Sequence, residues 1–92
     1  MTILRDKPSP ADPEALALAA LGWVLASEER AERFLALTGL TPDELRAGLG
    51  ERSVMAAVLE FLAQYEPDML AAAAALGVEP QLLANARERL SA

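Results

Sequence analysis

The side chains able to do chemistry in this chain are few. It has no histidine and no cysteine, which removes imidazole bases, thiolate nucleophiles, disulfides, zinc fingers and His-ligated metals. The remaining nucleophiles are Ser9, Ser27, Ser53, Ser91, Tyr65, some threonines and Lys7. Without imidazole a serine triad of the usual kind has no base, and the serines fall at helix caps or chain ends. Two acidic groups stand out: Glu28, Glu29 and Glu32, and the pair Glu66 and Asp68 around Pro67. Each has the residue types of a metal or acid–base site, but each also sits where carboxylates complement a positive helix start, and no histidine accompanies either. The five glycines form neither a GxGxxG nor a GxxxxGK spacing, so no phosphate-cradling loop is present. The expectation is a protein that is not an enzyme and that holds no cofactor and no metal.

Nucleic acid is the next chemistry to weigh. Ala73, Gly77, Val78, Leu83 and Ala86 have the small and apolar spacing of a helix-turn-helix. In that alternative the 67–90 helix pair would present Gln81, Asn85, Arg87 and Arg89, residue types that read base edges. The charge argues against it. With 14 acids and 8 bases the chain carries −6, so its field repels phosphate. Tight helical corners share the same spacing, as Leu35, Gly39, Leu40 and Leu45 show. Nucleic acid is therefore the weaker expectation.

The elements that must position these residues are helices. Hydrophobic residues make up 53% of the chain and aromatics only 4%, and the apolar content is mostly Ala and Leu, a helix-forming mixture. One local grammar recurs: Ala11-Asp12-Pro13, Leu40-Thr41-Pro42, Tyr65-Glu66-Pro67 and Val78-Glu79-Pro80. Proline suits the first helical position, and the residue before it can cap. Leu16, Leu45, Leu70 and Leu83 stand five residues after each leading apolar residue, the spacing of a hydrophobic staple. Thr41 with Glu44 adds a capping box. Ser27 and Ser53 are expected to cap two further helices, and Gly39, Gly50 and Gly77 to end helices. These signals predict six helices at about 13–25, 28–38, 42–49, 54–64, 67–76 and 80–90. The fold class is all-α: a compact bundle of about six short helices with tight Gly/Pro corners. Residues 1–11, broken by Pro8 and Pro10, are read as a flexible N-terminal arm, and 12–92 as a single helical domain. Gly39-Leu40-Thr41-Pro42 and Leu45 are echoed 38 residues on by Gly77-Val78-Glu79-Pro80 and Leu83.

Periodicity then assigns faces. Val54, Met55, Val58, Phe61, Leu62 and Tyr65 form one stripe, opposite Glu60 and Gln64. In the second helix Ala31, Phe34, Leu35 and Thr38 point inward, and Glu28, Glu29, Glu32 and Arg33 outward, with Glu29 and Arg33 spaced to pair. Leu82, Leu83, Ala86 and Leu90 give the last helix its inner side. The first helix has no polar side chain from Ala15 to Leu25, so it should be covered all round. Leu18, Leu21 and Leu25 are expected to enter the core. Leu16, Ala20 and Trp23 are left as an apolar interface for a protein partner or a second copy, a homodimer being the simplest closed arrangement. The longest uncharged run, Ala15 to Ser27, is too short to span a membrane, which takes roughly 20 residues, and the opening residues lack a secretory pattern. A cytoplasmic interaction or self-association module is the expected function.

Several strings, taken in order, resemble a family of small alphaproteobacterial proteins, domain of unknown function three-five-seven-two. They are Ala20-Leu21-Gly22-Trp23-Val24-Leu25, Arg33-Phe34-Leu35-Ala36-Leu37-Thr38-Gly39-Leu40-Thr41-Pro42, Ala57-Val58-Leu59-Glu60-Phe61-Leu62, Leu70-Ala71-Ala72-Ala73 and Leu76-Gly77-Val78-Glu79-Pro80. The resemblance covers about 15–90 and implies a bacterial, all-helical, intracellular protein. It transfers no activity and no site residues.

Overall fold

The structure is a computed structural model and describes residues 12–92; the expected N-terminal arm, 1–11, lies outside the described residues. Six helices follow one another: α1 (Pro13–Leu25), α2 (Glu28–Thr38), α3 (Pro42–Ala47), α4 (Arg52–Ala63), α5 (Glu66–Leu76) and α6 (Pro80–Ser91). No strand occurs among the described residues. Helices α1, α4 and α6 pack mutually at the centre. Helix α5 closes over all three, α2 lies on α1 and α4, and α3 hangs at the edge with only Leu45 buried. The radius of gyration, 12.5 Å, is what a compact chain of this length gives, about 12 Å.

Most starts and stops follow the expected grammar. Asp12 accepts from the backbone N–H groups of Glu14 and Ala15, and Ser27 from that of Arg30. Thr41 and Glu44 form the reciprocal capping box. Gly39 and Gly77 end α2 and α5 in the left-handed region, at φ 77° and 72°, where a Cβ would crowd the backbone.

Three boundary expectations are corrected. Helix α3 ends at Gly48, not Gly50. A Cβ on Gly48 would stand 2.7 Å from the Val54 side chain, so the chain closes there only because glycine lets Val54 in. The turn back to the Gly48 carbonyl then starts α4 at Arg52 behind Glu51, and Ser53 lies inside the helix rather than capping it. Helix α5 starts one residue early, with Tyr65 as N-cap, and both members of the expected Tyr65–Leu70 staple are exposed.

The core is one cluster. Phe34 of α2 meets Phe61 of α4 edge to face, with ring centroids 5.4 Å apart and the geometry aromatic quadrupoles favour. Val54, Met55, Val58, Phe61 and Leu62 are buried as the stripe predicts, Leu59 joins them, and Tyr65 does not. Leu83, Ala86 and Leu90 anchor α6, with Leu82 half-buried.

The largest correction concerns α1. Its buried residues are Leu16, Ala17, Ala20, Leu21 and Val24. Leu18 and Leu25, expected inside, are 49% and 45% exposed. Leu16 and Ala20, expected on the outer face, are closed to any partner. Ala17 and Ala20 are fully enclosed on the side of α1 that packs into the core, where small side chains let helices approach closely. A helix apolar on every side gives no sequence signal to choose among rotations. Nor is α1 covered all round: Leu18, Gly22 and Leu25 form an open uncharged stripe.

Candidate interaction surfaces

Trp23 is the third residue of the expected interface, and the α1–α2 corner accounts for it. Ser27 caps α2 and orients its first turn. The Arg30 guanidinium then lies 3.7 Å from the centre of the indole ring and donates to the Trp23 backbone carbonyl. The ring, half-buried against the core, is held by its own chain through cation–π and hydrogen bonding. The sequence hid this because Arg30 reads as one more charge of a solvated helix start.

A second clasp ties α2 to α5. Arg33 donates to Asp68 at 2.7 Å, with its guanidinium 5.3 Å from the Phe61 ring centre and 5.7 Å from that of Tyr65. Arg33 is therefore turned inward, against expectation, and pairs with Asp68 rather than Glu29. Asp68 is the one buried charged residue among those described, and Glu66, its expected carboxylate partner, stays exposed. The clasp sets the rotation of α5. With Asp68, Ala72 and Ala73 inward, Pro67, Leu70, Ala71 and Ala74 point out, all exposed and none charged.

Of the residues of the nucleic-acid alternative, Gln81, Asn85 and Arg89 share one exposed side of α6, and Arg87 is turned towards α4. Gln81 donates to Asn85 across one turn of α6. Half-buried Arg87 pairs with Glu60 of α4 at 3.1 Å. The Arg89 carbonyl accepts from Arg52 at the start of α4, and Arg46 pairs with Asp43 on α3. Arg46 and Arg87 thus pair with acids, and Arg52 and Arg87 link α4 to α6. Among the described residues no group of three or more acids has metal-holding geometry, and no helix is long and apolar enough to cross a membrane.

These features define a small all-α domain whose described arginines are engaged within the fold and whose outer surface is acidic with uncharged helix faces. The chain belongs to the family described as Protein of unknown function (DUF3572), whose model matches residues 10–92. No curated protein and no solved structure matches it.

Proposed function

We propose that this protein is a non-enzymatic self-association module of the bacterial cytoplasm, and that its contact surface is the uncharged outer side of α5 and α1. The observation that carries the reading is the outer face of α5, where Leu70 is 48% exposed beside Ala71, Ala74 and Ala75, with the exposed Glu66 one turn before Leu70 at its edge. Leu18, Gly22 and Leu25 extend the same character on α1, which packs against α5. Exposed apolar faces of this kind mark association sites. A second copy can meet the Leu70–Ala75 part of this face while Glu66 at its edge stays in water, and the alanines let two helices approach closely. Several of the chain's hydroxyls and carboxylates are engaged structurally: Ser27 and Thr41 as caps, Thr38 on its own helix, Asp68 on Arg33.

Light scattering from micromolar to millimolar protein tests the reading. A rise in mass with concentration is expected, stronger at high salt because screening weakens repulsion between two copies of charge −6. Leu70→Lys and Leu18→Lys should remain helical by circular dichroism, since both sites are exposed, and should lower the association. A wild type that stays monomeric throughout overturns the reading.

A further inference from the structure

The six helices divide into a body and an attachment. Helices α1, α4, α5 and α6 each pack against the other three. Helix α1 encloses five residues and α4 six, whereas α2 encloses Phe34 alone and α3 Leu45 alone. Leu35 and Leu40 add half-buried contacts to the core. The seam between α2 and α4 is also incompletely filled. Between the last turn of α2 and the second half of α4 a cleft of about 240 Å³ stays open, bordered by Leu37, Thr38, Ala57 and Phe61, and Leu37 is 69% exposed. Helices seated deep in a core leave few voids larger than a water molecule.

Among the described residues the polar ties between the 27–47 segment and the body are few. The Ser27 N–H donates to the Val24 carbonyl at 3.4 Å, Arg30 donates to the Trp23 carbonyl, and Arg33 pairs with Asp68. The other side-chain hydrogen bonds of the segment close within it: Thr38 on the Phe34 and Leu35 carbonyls, Thr41 with Glu44, Arg46 with Asp43. Ala26 joins the segment to α1, and Gly48-Leu49-Gly50-Glu51 joins it to α4. A Cβ on Gly50 would meet nothing within 4 Å, so that link has room to turn. A unit with its own caps and little enclosed surface opens at a lower free energy than the core it rests on.

We propose that α2, carrying α3, is a latch that opens from the α1/α4/α5/α6 body while the body stays folded. Phe34 and the guanidinium groups of Arg30 and Arg33 hold it shut on the Phe61 ring, the Trp23 indole and the Asp68 carboxylate. Opening frees those three groups, so the body gains a face of two aromatic rings and one acid that α2 covers in the closed protein. A helix of eleven residues is too short to keep its hydrogen bonds alone in water, so an opened α2 exposes its amides. The latch does not rest on self-association.

The test is native-state amide hydrogen exchange of the full chain, at a concentration where light scattering gives the monomer mass and in the regime where exchange reports opening equilibria. Relative to their intrinsic rates, the Leu35 and Thr38 amides of α2 should exchange about tenfold or more faster than those of Leu59 and Leu62 in α4. With small additions of denaturant the α2 rates should rise less steeply, because a local opening exposes less surface than unfolding of the whole chain. Ala86→Gly weakens α6, which only whole-chain unfolding disrupts. It should speed the α4 amides about fivefold and leave the α2 amides unchanged. Arg33→Gln removes a clasp that both openings break, and it should speed the α2 amides about tenfold. Wild-type α2 amides that match those of α4 in rate and denaturant slope would show that α2 leaves only with the whole fold, and would overturn the proposal. So would an Ala86→Gly variant that speeds both sets equally, or an Arg33→Gln variant that leaves α2 unchanged.

Discussion

The two glycine corners share a sequence pattern but are secured differently. Gly39-Leu40-Thr41-Pro42 and Gly77-Val78-Glu79-Pro80 both pass through a left-handed glycine into a proline-led helix. At the first, Thr41 and Glu44 close a capping box around the start of α3. At the second, Glu79 makes no side-chain cap at all. The helices that follow explain the difference. Helix α3 is six residues long and buries only Leu45, so local hydrogen bonds must hold it. Helix α6 is twelve residues long and buries Leu83, Ala86 and Leu90 between α1 and α4, so packing holds it. A good cap is found where the core is thin, and a poor one is tolerated where the core is thick.

Five substitutions would break or sharpen that contrast, read by chemical denaturation. The largest effect is expected from the staple leucines. Leu83→Ala should cost about 3–5 kcal/mol and Leu45→Ala nearer about 2, because Leu83 is fully enclosed whereas the edge helix can relax around a lost side chain. Equal losses would mean that α3 is as deeply integrated as α6. Gly39→Val comes next, at about 1–2 kcal/mol. A Cβ there meets nothing within 4 Å, so the whole cost is the left-handed backbone, and an unchanged midpoint would show that the corner adopts another turn. Thr41→Ala should cost about 1 kcal/mol through the lost cap. The smallest effect belongs to Glu79→Ala, expected within about 0.5 kcal/mol. If it matched Thr41→Ala, the second corner would have a cap that its hydrogen bonds do not show.

The accuracy of the sequence reading followed how local the cause was. Caps at Asp12, Ser27 and Thr41, and left-handed stops at Gly39 and Gly77, depend on a few neighbouring residues, and they stand where expected. Expectations that depended on a distant contact went astray. Gly50 yielded to Gly48 because Val54 packs on the backbone there. Tyr65 left the core stripe to become the N-cap of α5. Arg33 turned from an expected partner four residues away to one 35 residues away. For the surfaces, the uncharged face was foreseen in kind but not in place: Leu16 and Ala20 are interior, Trp23 is clasped by Arg30, and the open residues are Leu18, Leu25 and Leu70.

The sequence by itself determined that this chain is helical, where its helices turn, that histidine and cysteine chemistry is absent, and that its field is acidic. Composition, capping and proline geometry act within a turn or two, so they can be read along the chain. Only the tertiary structure decided which way α1 and α5 rotate. From Ala15 to Leu25 and from Met69 to Leu76 every side chain is apolar or absent, so hydrophobicity is the same in all directions and gives no torque. What accompanies the rotation is the fit of the whole buried side, Leu16, Ala17, Ala20, Leu21 and Val24 on α1, and one ion pair on α5, Asp68 with Arg33.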